Sequence, residues 1–275
     1  MIIDTHHHFW NYNPIDYDWI NEDMANIRKN FLPADLKETI SDAGVTGVIS
    51  VQARQITEET DWLLSLASEN EFIKGVIGWV PLASNKIREL LEKYTTSRWL
   101  KGVRHVVQGE PDPDFILGKE FNVGVKLLKN FNLIYEILIF EHQLSNTIRF
   151  VDQHQNQVFV LDHIAKPVIK ENKIDEWNKN IRELAKRENV FCKISGMVTE
   201  ANFKEWTVEQ LQPYFDVVLE AFGPERLMFG SDWPVCLAAT RYKKWLEIVK
   251  SQVSEFSQKE QNKILYENAV QVYRL

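Results

Sequence analysis

Short apolar runs rich in β-branched residues alternate with longer polar segments along most of the chain. Eight of these runs have the length and composition of strands, over residues 2–9, 45–52, 72–80, 100–107, 133–140, 157–163, 189–195 and 226–232. Seven intervening segments carry apolar residues at helical spacing, over residues 33–43, 58–70, 86–94, 114–130, 144–155, 176–187 and 208–222. Gly44 and Gly223 follow two of them as helix-ending residues. An amphipathic pattern over residues 257–275 predicts a last helix.

Strand and helix alternate throughout, which predicts an α/β protein with parallel strands joined by right-handed crossovers. Eight such units in 275 residues favour a single (β/α)₈ TIM barrel over residues 1–275, since about 250 residues are typical of that fold. The alternative is an open doubly wound sheet, which usually carries a G-x-G-x-x-G turn that this chain lacks. The one long excursion, residues 11–30, is expected to lie over the barrel mouth.

The composition of the chain excludes some classes of binding partner but does not indicate a reaction. The chain is 44% hydrophobic and 26% charged, with a net charge of −7 and no lysine- or arginine-rich block. These values predict no nucleic-acid partner and no anionic membrane partner. No apolar run approaches the roughly 18 residues of a membrane span. Two cysteines without a CxxC spacing, and no secretory signal pattern, predict a cytoplasmic protein. The composition is compatible with a monomer or a homo-oligomer.

Three consecutive histidines, His6, His7 and His8, end the first predicted strand. Side chains alternate between the faces of a strand, so His6 and His8 share one face and His7 points away. Two imidazoles at one strand end can hold a metal ion or a water molecule. An expression tag is the first alternative, but tags are usually longer and lie outside the fold. A structural or solvated pair is the second. Asp4 lies two residues before His6 and is therefore expected on the same face of the strand. It either supports these ligands or is a structural hydrogen-bond partner.

Other reactive side chains also fall at predicted strand ends, where the active sites of such barrels form. Six of the seven histidines lie at or just past a strand end, His154 being the exception. Any one of them could be a satisfied hydrogen-bonding residue, but the set indicates a site. Asp232 ends the eighth predicted strand, and a carboxylate there can accept a proton from water. Imidazole and carboxylate together suit a Zn²⁺-type ion.

The same residues occur in recognisable strings. These are DTHHHFW at 4–10, LKGVRH at 100–105, LDHIAKP at 161–167, KISGM at 193–197 and FGSDWP at 229–234, with Asn268-Ala269 and Tyr273-Arg274 in the last helix. In combination they resemble the lactonase branch of the amidohydrolase superfamily, whose members open fuconolactone, rhamnonolactone and pyrone dicarboxylate rings. The resemblance extends over the whole chain.

The resemblance implies a metal site formed by His6, His8 and Asp232, and catalytic roles for Asp232 and His163. His142 stands just past the fifth strand, where some relatives have a metal ligand, and it is included in the predicted catalytic set. Arg104 occupies the strand-four region, where relatives with two metals have a carboxylated lysine or a bridging glutamate. We therefore expect one divalent ion, Zn²⁺ or Mn²⁺, or none, since some relatives work without metal.

Four further residues are predicted to contact the substrate: Arg104, Trp10, Lys166 and Trp233. For the two aromatic residues, packing in the barrel or its loops is the alternative. The function that follows is hydrolysis of a small lactone, of a sugar-acid type, by an activated water. Two alternatives stay open: a decarboxylase on the same scaffold, and a non-catalytic binding protein on an enzyme fold.

Overall fold

A computed structural model describes residues 1–275 and contains one eight-stranded parallel sheet in the order β1 to β8. The strands are β1 (Ile3–His7), β2 (Gly47–Val51), β3 (Ile73–Gly78), β4 (Leu100–Val106), β5 (Ile134–Leu138), β6 (Phe159–Leu161), β7 (Val190–Ile194) and β8 (Leu227–Phe229). A parallel bridge between His7 and Trp233 brings the chain after β8 back to β1. The sheet is therefore a nearly closed barrel, and the predicted fold is confirmed.

Helices cover the outside of the barrel. They are α1 (Pro33–Ser41), α2 (Thr57–Glu69), α3 (Ile87–Tyr94), α4 (Lys119–Leu128), α5 (Leu144–Asp152), α6 (Asp175–Leu184), α7 (Val208–Phe222), α8 (Tyr242–Gln252), α9 (Gln258–Asn262) and α10 (Asn268–Tyr273). The sequence prediction missed α8, although its buried apolar residues have helical spacing. A π-helical turn, Lys263–Glu267, joins α9 to α10. None of the helices combines the length and apolar composition that a membrane crossing requires.

The barrel interior is layered, as β5 illustrates. At the lower end, Ile134 packs in an apolar cluster with residues of β1, β2, β3, β6 and β8, closed from below by α10. Two residues later Glu136 is fully buried, and after two more Leu138 lines the mouth. Because alternate strand residues face the same side, one strand contributes an apolar, a charged and a site-lining residue in turn.

The excursion over residues 11–30 packs against the mouth end of β1. The backbone of Trp10 pairs with that of Phe31, and the indole of Trp10 donates to the carbonyl of Lys29 (2.9 Å). Tyr17 is buried, whereas Trp19 is 42% exposed and lines the mouth cavity. The segment is thus a wall of the cavity, anchored by aromatic packing.

Candidate active site

Four side chains, from the ends of β1, β6 and β8, meet at the barrel mouth. The Nε2 atoms of His6 and His8 lie 3.2 Å apart. The Oδ1 atom of Asp232 lies 3.8 Å from His6 Nε2 and 3.5 Å from His8 Nε2. His163 Nε2 is 3.9 Å from the same oxygen. The structure therefore brings together the residues predicted from strands one, six and eight.

Asp4 ties the two segments that carry His6 and Asp232. One carboxylate oxygen accepts from the backbone N–H of His6 (3.1 Å) and of Ser231 (2.8 Å), and the other accepts from the Tyr242 hydroxyl (3.0 Å). Burial raises the pKa of Asp4 to about 6. Of the two interpretations left open for Asp4, the structural hydrogen-bond partner is the one the contacts support.

The expectation that Asp4 shares the face of His6 is wrong. The register between β1 and β2 is irregular between Asp4 and His7. Ile3 belongs to the interior cluster, whereas Asp4 reaches Tyr242 on α8, outside the barrel. A β-bulge of this kind breaks the simple alternation of faces that the prediction assumed.

Local contacts fix the orientations of His163 and His8. His163 has a left-handed φ of 52°, and its Nδ1 lies 2.9 Å from the Ser195 hydroxyl. A Cβ on Gly196 would stand 2.5 Å from that nitrogen, so only glycine lets the β7 loop approach the ring. His8 Nδ1 donates to the carbonyl of Val51 (2.8 Å), which leaves its Nε2 unprotonated when the ring is neutral.

Burial also sets the charge of the imidazoles. It lowers the pKa of His6 well below the usual value, and the nearby Lys193 ammonium lowers it further. Burial likewise lowers the pKa of His163, with His6 as the next cause. Both rings are therefore neutral near pH 7, which is the form that binds a metal or accepts a proton.

A layer of paired charges lies directly beneath the site. Lys193 Nζ is 2.6 Å from Glu136 Oε2 and 3.1 Å from Asp162 Oδ1, while Arg104 Nη1 donates to Asp162 Oδ2 (2.9 Å). The Tyr273 hydroxyl donates to the other oxygen of Glu136 (2.8 Å). Burial alone would raise the pKa of Asp162, but Lys193 and Arg104 together hold it below its usual value. We refer to these five residues as the charged layer.

The charged layer contacts the site through His6. Lys193 Nζ lies 3.1 Å from His6 Nδ1, and Arg104 Nη1 lies 3.3 Å from His6 Nε2. Arg104 also donates to the backbone carbonyl of Gln52. Its guanidinium is thereby held in one orientation, with a positive charge at the base of the mouth.

One set of donors fits a single metal ion. His6, His8 and Asp232 each offer a ligand atom, and these atoms lie within 4.8 Å of one another. Two neutral imidazoles and a carboxylate are ligands that Zn²⁺ and Mn²⁺ accept. The hydrogen bond from His8 Nδ1 to a carbonyl is the kind of support that orients a ligating histidine.

A second set, formed by His6, Asp162 and His163, is equally compact but chemically different. The Asp162 carboxylate is already paired with Lys193 at 3.1 Å and with Arg104 at 2.9 Å. A second cation there would have to displace two buried positive charges. The donor chemistry therefore fits one ion and not two.

The site opens into a cavity of about 280 Å³. It is lined by His8, Trp19, Ala53, Arg104, Val106, Gln108, Gly109, Leu138, His163, Lys166, Asp232 and Val235. Of the four predicted substrate contacts, Arg104 and Lys166 line the cavity. Lys166 is 3.7 Å from Glu200 and so carries a partner of opposite charge.

The two predicted aromatic contacts do not line the cavity. Trp10 is completely buried beneath residues 11–30, and Trp233 packs edge-on against Phe31 with ring centroids 5.1 Å apart. Packing, the stated alternative, describes both. Trp19 supplies the aromatic wall instead, from the segment predicted to cover the mouth.

The remaining histidines at strand ends face elsewhere. His142 is exposed in the 3₁₀ turn Glu141–Gln143 and is absent from the cavity lining. His105 bonds to Glu110 (2.6 Å), and His7 bonds to the Ser50 hydroxyl (2.9 Å). The structure does not bring His142 to the cluster around Asp232.

Sequence reasoning also overlooked Glu136 and Gln108. Glu136 and Lys193 are lone charges of opposite sign inside apolar strand runs, a signal that could have predicted a buried pair. Gln108 follows β4 in a short 3₁₀ turn, and nothing in the sequence distinguishes it from other loop glutamines.

Comparisons with known proteins identify related enzymes and a family. A family model described as amidohydrolase matches residues 3–275. An L-fucono-1,5-lactonase of Burkholderia multivorans is 37% identical over 90% of this chain and 87% of its own length. A zinc-bound amidohydrolase structure from the same species is 35% identical, with a TM-score of 0.96 over 100% of this chain and 99% of that one.

A more distant structure shares only the fold. The 5-carboxyvanillate decarboxylase of Novosphingobium aromaticivorans, solved with manganese, is 13% identical with a TM-score of 0.70, over 100% of this chain and 96% of that one. The decarboxylase alternative is thus less favoured than lactone hydrolysis. With its barrel, its His-Asp cluster and a family match over nearly its full length, the chain belongs to the amidohydrolase family.

Proposed function

We propose that this enzyme hydrolyses a sugar-acid lactone. The observation that carries the proposal is the position of the Asp232 carboxylate, beside the imidazoles of His6, His8 and His163 and at the edge of a cavity of about 280 Å³. A small ring fits such a volume. The 37% identity to a fuconolactonase supports the same substrate class.

In the proposed mechanism, a water molecule near His6, His8 and Asp232 attacks the lactone carbonyl. Asp232 accepts the proton of this water and delivers it to the departing ring oxygen, so that the acid and the hydroxyl of the product form together. Arg104, held by Asp162, supplies positive charge close to the developing oxyanion.

We assign a second stabilising role to His163. When the Ser195 hydroxyl donates to Nδ1, the ring proton resides on Nε2, the nitrogen nearer Asp232. His163 can then donate a hydrogen bond into the cavity. The exposed position of His142 gives it no part in this mechanism.

We propose that His6, His8 and Asp232 bind one divalent ion, Zn²⁺ or Mn²⁺. When bound, such an ion polarises a carbonyl and lowers the pKa of an adjacent water. Elemental analysis of untagged protein is expected to give at most one equivalent per chain. Two equivalents would contradict the argument that Lys193 and Arg104 already neutralise Asp162.

A hydrolysis screen tests the proposed function. Purified protein is incubated with a panel of sugar 1,4- and 1,5-lactones, with and without chelator, and acid release is followed by a pH indicator. We expect selective opening of a subset of the sugar lactones. Failure to open any of them, together with CO₂ release from small carboxylic acids, would replace the proposal with the decarboxylase alternative.

A further inference from the structure

Gln108 is a polar residue of the cavity with no hydrogen-bond partner in the protein. It lies in the 3₁₀ turn Val107–Gly109, directly after β4, and lines the same cavity as Asp232 and His163. The side chain is half-buried, and its Oε1 atom is shielded from solvent without a partner. Leaving such a group unsatisfied is unfavourable for the folded protein.

Neighbouring glutamines are committed to the backbone. The Gln55 carboxamide accepts from the N–H of Val106 (2.8 Å), and Gln52 donates to the carbonyl of Arg104 (3.2 Å). Gln143 accepts from a backbone N–H (2.9 Å) and donates to a backbone carbonyl (3.1 Å). These side chains brace the strand ends, whereas that of Gln108 does not.

Gln108 differs from the other residues that line the cavity in the hydrogen bonds it can offer. Arg104 and Lys166 are cations, suited to a carbonyl or carboxylate oxygen, and Trp19 offers an apolar surface. Among the lining residues Gln108 supplies the sole carboxamide. A carboxamide both donates and accepts, and without a partner in the protein that of Gln108 can turn either atom towards a hydroxyl group.

We propose that Gln108 is a specificity residue that binds a ring hydroxyl of the lactone. This assignment rests on the proposed function and deepens it, because it separates polyhydroxylated lactones from unsubstituted ones. A site built to pair a hydroxyl discriminates against the analogue that lacks it, since the polar group is then left unpaired.

The test compares Gln108→Met with the unmodified enzyme on two substrates, a sugar 1,5-lactone and unsubstituted δ-valerolactone. Methionine preserves the length of the side chain and removes its hydrogen bonds. We expect kcat/KM for the sugar lactone to fall about tenfold, the scale of one neutral hydrogen bond. The value for δ-valerolactone should change less than about twofold by the same argument.

Gln155→Met is the matched control, because Gln155 is exposed in the turn before β6, at the opposite end of the barrel. It should leave both substrates unaffected. Equal losses on the two lactones in Gln108→Met, or no loss on either, would overturn the assignment while leaving the lactonase proposal intact. The sugar lactone used is one that the hydrolysis screen shows to be opened; an unmodified enzyme that opens no lactone of that panel would overturn both proposals.

Discussion

The charged layer and the mouth above it both contain buried ionisable groups, but they use them differently. In the charged layer, Glu136 is paired with Lys193 and Tyr273 at 2.6 and 2.8 Å. At the mouth, Asp232 has no cation within such a distance, and its Oδ1 faces histidine nitrogens at 3.5–3.9 Å. One level pairs its charges with one another, and the other keeps atoms free for a water, an ion or a substrate.

Arg104 and His6 connect the two levels. Arg104 is anchored below by Asp162 and lines the cavity above. His6 contacts Lys193 through one nitrogen and faces His8 through the other. In the proposed mechanism, the charged layer therefore orients the site, while the groups that face the cavity carry out the chemistry.

Removing the free carboxylate should have the largest effect on activity. Asp232→Asn has nearly the same shape but cannot accept a proton near neutral pH. We expect turnover to fall by at least ~10²-fold and up to ~10⁴-fold, the range for loss of a general base. Initial rates on the best sugar lactone measure the change.

Thermal unfolding and circular dichroism of Asp232→Asn are expected to match those of the unmodified protein, which separates loss of chemistry from loss of fold. Turnover within a few-fold of the unmodified enzyme would refute the role of Asp232 as base.

Breaking a pair in the charged layer should instead reduce stability. Lys193→Met leaves Glu136 and Asp162 buried with fewer positive neighbours. Removing one partner of a buried ion pair costs about 3–5 kcal/mol. Urea unfolding, followed by tryptophan fluorescence, gives the change in the free energy of unfolding.

The double variant Lys193→Met with Glu136→Gln sharpens this test. It removes one negative charge along with the positive one, so part of the lost stability should return. If the double variant is as unstable as the sum of the two single variants, the two charges are not coupled and the description of the layer is wrong.

The sequence is sufficient to predict the barrel, because eight apolar strand runs alternate with amphipathic helices. It also indicated the cluster of His6, His8, His163 and Asp232, since strand ends converge at one end of such a fold. Trp10 and Trp233 illustrate its limit. Whether an aromatic residue near a strand end packs or lines a cavity depends on where residues 11–30 fold back, which composition does not specify.

The face of Asp4 and the position of Gln108 are two further features that the sequence does not predict, and both have local structural causes. The predicted face of Asp4 is wrong because a β-bulge interrupts β1, and no residue type in that strand indicates a bulge. Gln108 is not predictable from the sequence, because what distinguishes it is the lack of a hydrogen-bond partner, which depends on the folded structure.

Glu59 extends the comparison to a buried carboxylate held by backbone groups. It lies in the first turn of α2, where its Oε2 accepts from the N–H of Ala53 (3.0 Å) and Arg54 (2.7 Å), and its Oε1 has no partner. Burial raises its pKa from 4.5 to about 7, although both backbone hydrogen bonds lower it. Its charge is thus less well compensated than that of Asp162.

The smallest expected effect follows from this raised pKa. The Glu59 carboxyl binds its proton more tightly in the folded state than in the unfolded chain. The protonated group therefore contributes stability that is fully present below pH 4.5 and is lost as pH rises through about 7. Glu59→Gln cannot ionise and should remove this loss. Relative to the unmodified protein, the variant should gain roughly 2–3 kcal/mol between pH 4.5 and 8. Urea unfolding across that range measures the difference, with the exposed neighbour Glu58→Gln as the matched control. Parallel stability curves for Glu59→Gln and the unmodified protein would show that the Glu59 carboxylate is as well compensated as that of Asp162.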